Sequence, residues 1–186
     1  MAKRVVSRFV RVLDELIAHT DPESVVDVGC GEGVLTARWA ERLAGRRIVG
    51  LDPGERSLQA GWERRKCPNL EFRGGHALAL PFADGELDMA VAVEVLEHLP
   101  EPERALAELS RVARRHVLAS VPREPIWRAA NLARGAHVRS LGNTPGHVNH
   151  WSSGAFATLV EPYGRVEAAR SPFPWTVLLV RLHSSS

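Results

Sequence analysis

Ser24-Val25-Val26-Asp27-Val28-Gly29-Cys30-Gly31-Glu32-Gly33 joins a β-branched run to a loop with glycine at every second position. The valines favour a short strand. The glycines permit backbone conformations and close approaches closed to other residues. A helix is expected from about Val34, with Leu35, Trp39, Ala40 and Leu43 on one face, and its first N–H groups would point at whatever lies beside the loop. Strand, glycine loop and helix in that order open a βαβ unit, and in a doubly wound sheet ligands bind beyond the carboxyl ends of the strands.

Toward the N-terminus, Val5, Val6, Phe9, Val10, Leu13, Leu16 and Ile17 recur at helical spacing between Arg8, Arg11, Asp14 and Glu15, and Thr20-Asp21-Pro22 ends that helix. Toward the C-terminus, Ile48 to Leu51 makes a second strand that stops at the turn Asp52-Pro53-Gly54, before a helix over roughly Glu55 to Arg65. Leu70 to Arg73 is a third strand, and Leu87 to Val93 is a fourth, apolar enough for burial on both faces. A helix begins at Glu101-Pro102-Glu103, turns Ala105, Leu106, Leu109 and Val112 inward, and carries Arg111, Arg114 and Arg115 toward its C-terminal end. His116 to Val121 is the fifth strand. After a helix that starts near Ser152, strands Arg165–Arg170 and Trp175–Leu182 are joined by a link too short for a crossover helix, so they pair antiparallel. The expectation is an α/β fold: one domain over residues 1–186 with a doubly wound, mostly parallel, seven-stranded sheet and a C-terminal antiparallel hairpin.

Of the 186 residues, 45% are hydrophobic and 25% charged, with a net charge of +2, which excludes disordered, fibrous and membrane-spanning classes. Cys30 and Cys67 sit in no CxxC or other metal-ligand spacing and read as reduced thiols of a cytoplasmic protein. The basic start is interrupted by Arg8, Arg11 and Asp14, which breaks any signal-peptide core, and no apolar run reaches the ~20 residues a bilayer needs.

The dinucleotide fingerprint GxGxxG would place its third glycine at position 34, where this chain has Val34. Asp52, at the tip of the second strand, is placed to accept two hydrogen bonds from a ribose diol, each worth about 1.5–3 kcal/mol. That supports a nucleoside ligand of either kind; alternatively Asp52 simply initiates the turn at Pro53-Gly54.

The run Asp27-Val28-Gly29-Cys30-Gly31-Glu32-Gly33 resembles the first motif of class I methyltransferases that use S-adenosylmethionine (SAM), and the resemblance extends from about Val25 to Leu182. The nearest group is the small methyltransferases related to the ubiquinone and menaquinone methylases, whose Rossmann-like fold ends in a similar hairpin. The resemblance implies SAM as cofactor and S-adenosylhomocysteine as product. It also implies a cofactor site drawn from Asp27, Gly29, Cys30, Gly31, Gly33, Asp52, Pro53, His76, Ala77 and Glu94. Leu80 to Asp88 looks like the family segment before the fourth strand, but the family commonly has an aspartate near His76. Here the adenine amino group would fall to a neutral His76 ring or to the Ala77 backbone. Glu94-Val95-Leu96-Glu97-His98-Leu99-Pro100 is similar to the family stretch beside the methionine end of the cofactor. Carboxylates at Asp27 and Glu94 suit the sulfonium and ammonium there, or else serve as cap and turn residues.

Pro122 to His150 has no place in the regular alternation and is the expected lid or acceptor segment. It sets Arg123, Arg128, Arg134 and Arg139 against Glu124, alongside His137, His147 and His150. This invites an anionic acceptor, whether a small carboxylate, a phosphate-bearing molecule or RNA, unless the arginines form a solvated helix face. Gly146 to Ser152 resembles the family segment entering the helix before the hairpin, with Ser152 as its cap. His147 and His150 are candidate general bases for an acceptor hydroxyl or amine, although alignment alone supplies much of the acceleration in such transfers. Phe9, Trp127 and Trp151 are either acceptor-pocket walls or core. Glu94, Glu97 and His98 with His147 or His150 resemble the set by which small-RNA 2′-O-methyltransferases hold a divalent metal. The same Glu-x-x-Glu-His occurs in the broad family without one, and no metal ligand is assigned. A nicotinamide-dependent oxidoreductase and a non-catalytic SAM-binding module are the rivals. The expected partner is a small-molecule acceptor, in a monomer or homodimer without a membrane span.

Overall fold

The computed structural model of the chain describes residues 2–54, 56–133, 135–137, 140 and 143–183. Helices α1 (Ala2–Thr20), α2 (Val34–Arg42), α3 (Arg56–Arg64), α4 (Pro102–Val112), α5 (Ile126–Ala133) and α6 (Ser153–Val160) flank one sheet. Its strands are β1 (Ser24–Val28), β2 (Arg47–Asp52), β3 (Leu70–Gly74), β4 (Leu87–Val93), β5 (Ala113–Pro122), β6 (Gly164–Arg170) and β7 (Trp175–Leu182). The spatial order is β3-β2-β1-β4-β5-β7-β6. The first five strands run parallel, while β7 pairs antiparallel with β5 and β6 antiparallel with β7.

Alternation of side chains along the strands builds two cores, one on each face. Val26, Val28, Val49, Leu51, Ala90 and Ala92 pack with Leu106 and Leu109 of α4 and Phe156 and Val160 of α6. Val25, Ile48, Met89 and Val91 face the other way, onto Phe9, Leu13 and Ile17 of α1 and Trp39 of α2. Buried Asp14 clips α1 to α2 by accepting from the Arg38 guanidinium at 2.7 Å and from Trp39 Nε1 at 3.2 Å. The strand order reverses at β1, which has β2 on one side and β4 on the other. That switch opens a crevice beyond the carboxyl ends of β1, β2 and β4.

One local expectation needs correction. Arg114 and Arg115 do not end α4: Ala113 already has extended dihedrals (φ −93°, ψ 137°) and pairs with Leu87, so β5 starts three residues before His116. The Arg114 guanidinium instead grips Asp88 at 2.7 Å. Within the segment 122–150, Pro122 closes β5 and α5 follows at Ile126. Its apolar Ile126 and Trp127 favour packing over solvation. Arg134 and Arg139 of this segment, and Glu55 at the expected start of α3, lie outside the described residues. No described helix is long and apolar enough to cross a membrane.

Candidate active site

The glycine loop is tied to the tip of β2 by its own backbone: the N–H groups of Gly29 and Cys30 both donate to the Leu51 carbonyl, at 2.7 and 3.1 Å. Gly29 (φ 75°) and Gly33 (φ 77°) occupy the left-handed region, and a Cβ would strike Val95 at the first and the Phe72 ring at the second. Asp52 reaches across from β2 and accepts the Gly31 N–H at 3.0 Å, so the carboxylate lies against the loop. From α3, Trp62 donates its indole N–H to the Gly31 carbonyl at 2.8 Å and stacks on Phe72. Trp62 positions the loop from a distance of 31 residues in sequence. Only its place as a large apolar side chain on an amphipathic helix hinted at this.

A cleft of about 220 Å³ opens beside the loop, lined by Gly29, Leu51, Asp52, Pro53, Gly75, His76, Ala77, Glu94, Val95, His98 and Leu99. Six of the expected cofactor residues, Gly29, Asp52, Pro53, His76, Ala77 and Glu94, thus share one cavity. Asp27, Cys30, Gly31 and Gly33 stand outside its lining. Asp27 is 3% exposed and accepts the Thr36 hydroxyl of α2 at 2.6 Å. Burial, opposed by Thr36 and reinforced by nearby Asp52, pushes its carboxyl up to about 7. Burial and the same two carboxylates push the Cys30 thiol far up, which makes it an inert side chain. His76 accepts the Leu78 N–H on Nδ1 at 3.3 Å, so a neutral ring carries its hydrogen on Nε2. Glu94 follows β4 in the left-handed region (φ 59°) and is oriented by two donors, Trp175 Nε1 at 2.7 Å and Ser120 Oγ at 3.2 Å. Burial, with those donors opposing it, pushes the Glu94 carboxyl up to about 7.

The 3-10 turn Leu96–His98 continues from Glu94 and meets the segment 146–149. The Glu97 carbonyl accepts the N–H groups of Val148 and Asn149 at 2.8 and 3.1 Å, and Asn149 Nδ2 donates to the Leu96 and Leu99 carbonyls at 3.3 and 2.6 Å. Those bonds bring His147 edge-on to His98, with ring centroids 4.8 Å apart. A file of rings then runs from His147 through Trp127 and Trp175 to Phe9. Burial, with His98, His150 and His137 nearby, pushes the His147 imidazole down to about 4. It is therefore neutral at pH 7 and holds an abstracted proton weakly. His150 turns away from that file, its Nδ1 3.5 Å from Glu124 Oε1. Phe9 is core, and Trp151 is half-buried with its ring against Phe156.

The sequence pattern of the methyltransferase domain family matches residues 26–119, half of the chain, and covers the loop, Asp52 and Glu94. The chain belongs to this family. It is a class I, SAM-dependent methyltransferase domain of the type-11 group. A demethylmenaquinone methyltransferase of Renibacterium salmoninarum is 35% identical over 107 residues, which cover 58% of this chain and 44% of that protein. The chain spans less than half the length of this and the other most similar curated relatives. Among solved structures, a SAM-dependent methyltransferase from Aquifex aeolicus superposes with a TM-score of 0.68 at 17% identity, over 86% of this chain and 82% of that one. Magnesium protoporphyrin IX methyltransferase from Synechocystis, solved with bound S-adenosylhomocysteine, gives 0.68 at 17% identity over 96% and 84%. At such identities the likeness speaks for the fold alone.

Within this methyltransferase domain the expected site therefore divides. The cofactor candidates are gathered at the strand tips, either on the cleft or directly behind it. Of the two candidate bases, His147 faces His98 and His150 faces Glu124, so the two rings have different partners.

Proposed function

We propose that this methyltransferase domain binds SAM in the cleft beside Gly29 and moves its methyl group to an oxygen, nitrogen or carbon nucleophile of a small acceptor. One observation carries the proposal: the acidic side chains of Asp52 and Glu94 line the cleft, with no lysine or arginine among the described lining residues. That suits a ligand with ribose hydroxyls and a cationic tail, and it disfavours the pyrophosphate of a nicotinamide cofactor. When bound, SAM supplies a methyl group made electrophilic by its sulfonium. Asp52 would exchange the Gly31 N–H for the ribose hydroxyls. Glu94, fixed by Trp175 and Ser120, would face the cationic end, while Leu51, Val95 and Leu99 keep water from it.

The acceptor would lie under the segment 122–150. Arg128 and His150 there both lean on Glu124, whereas Arg123 Nε is buried without a partner, which favours an acceptor carrying an anionic group. A neutral His147 or the His150–Glu124 pair would take the acceptor's proton where one must leave. The test is a calorimetric titration: Asp52→Ala is expected to weaken SAM binding at least about tenfold through loss of a charged acceptor. Unchanged affinity, or tighter binding of NADH than of SAM, would overturn the assignment.

A further inference from the structure

Glu97 is 1% exposed, and neither of its carboxylate oxygens has a hydrogen-bond partner. An ionised carboxylate held without donors costs several kcal/mol, so the position calls for a positive partner or a proton. What stands beside it is a pair of imidazoles: one ligand atom each from Glu97, His98 and His147 lie within 4.8 Å of one another. Two ring nitrogens and a carboxylate oxygen form a donor set for a borderline divalent cation rather than for Mg²⁺ or Ca²⁺, which favour oxygen ligands.

The surroundings hold these groups as ligands. His98 Nδ1 is 3.0 Å from the Gly146 carbonyl oxygen. A carbonyl only accepts, so Nδ1 carries the hydrogen and Nε2 keeps its lone pair, which is how a backbone carbonyl fixes the tautomer of a metal-bound histidine. The bonds from Val148 and Asn149 to Glu97, and from Asn149 to Leu96 and Leu99, stitch the two ligand-bearing segments together on either side of the cluster. Neighbours that might have joined the set are engaged elsewhere: Glu94 with Trp175 and Ser120, His150 with Glu124. Ligands of one ion at about 2.1 Å stand at most about 4.2 Å apart. The cluster therefore closes on an ion by a movement within reach of a histidine side-chain rotation.

We propose that Glu97, His98 and His147 bind one divalent cation of the Zn²⁺ or Co²⁺ class at the end of the cleft that His98 also lines. Three protein ligands leave coordination positions open for oxygens of an acceptor such as a carboxylate or a pair of adjacent hydroxyls. That use of the open positions rests on the methyl-transfer proposal; the ion site itself does not.

The test titrates the untagged chain with Co²⁺, followed by visible absorption, and with Zn²⁺, followed by calorimetry, both in the absence of SAM. One equivalent is expected to bind, with Mg²⁺ failing to compete. Glu97→Gln and His98→Gln are each expected to weaken binding by at least about tenfold. His98 is exposed, so the second variant leaves the fold intact, as thermal melting would verify. Absence of saturable binding, or binding that both variants leave unchanged, overturns the proposal. SAM titrations on the same preparations separate the two assignments. Cation binding without SAM binding leaves this site standing and removes the cofactor assignment, and the reverse pattern removes this site.

Discussion

The side of the cleft proposed for the cofactor and the side proposed for the acceptor satisfy their polar groups in opposite ways. On the cofactor side, the loop 29–33 donates to Leu51 and Asp52 and accepts from Trp62, and buried Asp27 has Thr36. On the acceptor side, both oxygens of Glu97, Arg123 Nε and Asn143 Oδ1 are buried without hydrogen-bond partners, and Glu124 Oε1 meets Arg128 Nε and His150 Nδ1 only at ion-pair distances of 3.8 and 3.5 Å. Leaving a buried polar atom unpaired costs about 1–3 kcal/mol, so the proposed acceptor would gain by supplying the missing partners. The side proposed for the cofactor is a finished frame of hydrogen bonds, and the side proposed for the acceptor leaves several buried polar atoms without them.

The sharpest way to break this contrast is to cut into each side and compare. Trp39→Ala, behind the cofactor frame, removes a fully buried indole and its bond to Asp14, and is expected to cost about 3–5 kcal/mol in denaturant unfolding. If it costs no more than a surface substitution, the frame is not rigid and the contrast fails.

Next in size is the pH dependence set by Asp27. Its folded-state value near 7 lies above the ordinary aspartate value, so the folded protein holds a proton through the window from about 4 to 7 that the unfolded chain has released. The stabilisation is complete below about pH 4 and disappears as pH rises through 7, by up to about 4 kcal/mol. Asp27→Asn should flatten the stability profile across that window and raise the melting temperature at pH 8, measured without cofactor. A variant whose profile parallels the parent would place Asp27 outside the frame.

The smallest expected effect is on the other side. Trp127→Ala loses an indole on the ring file and its 2.9 Å bond to Thr144, at a cost under about 1 kcal/mol in stability. It should raise KM for the acceptor several-fold while SAM affinity stays as it was. An effect on SAM affinity equal to that on the acceptor would dissolve the division between the two sides.

Legibility follows the same division. The strand spans of β1, β4 and β7 were visible residue for residue, because valine-rich runs bounded by turn residues have few alternatives. The hairpin was visible because four residues between β6 and β7 cannot carry a crossover. The place of Asp52 beside the loop was legible because it follows the apolar run of β2, whose tip borders the crevice. The boundary of β5 was hidden, since Arg114 and Arg115 look like helix-terminal cations until Asp88 is seen to hold one of them. Trp62 was hidden because its partner is a backbone carbonyl, which any residue provides.

The order of hydrophobic and glycine residues alone determined the alternation of strands and helices and the place of the crevice, because these follow from periodicity and backbone freedom within short stretches. Which histidine meets Glu97 and which meets Glu124 was decided only when the segment 146–151 was laid against the turn after β4. Side chains fifty residues apart acquire a relation only through the packing between them, and local pattern carries no record of that packing.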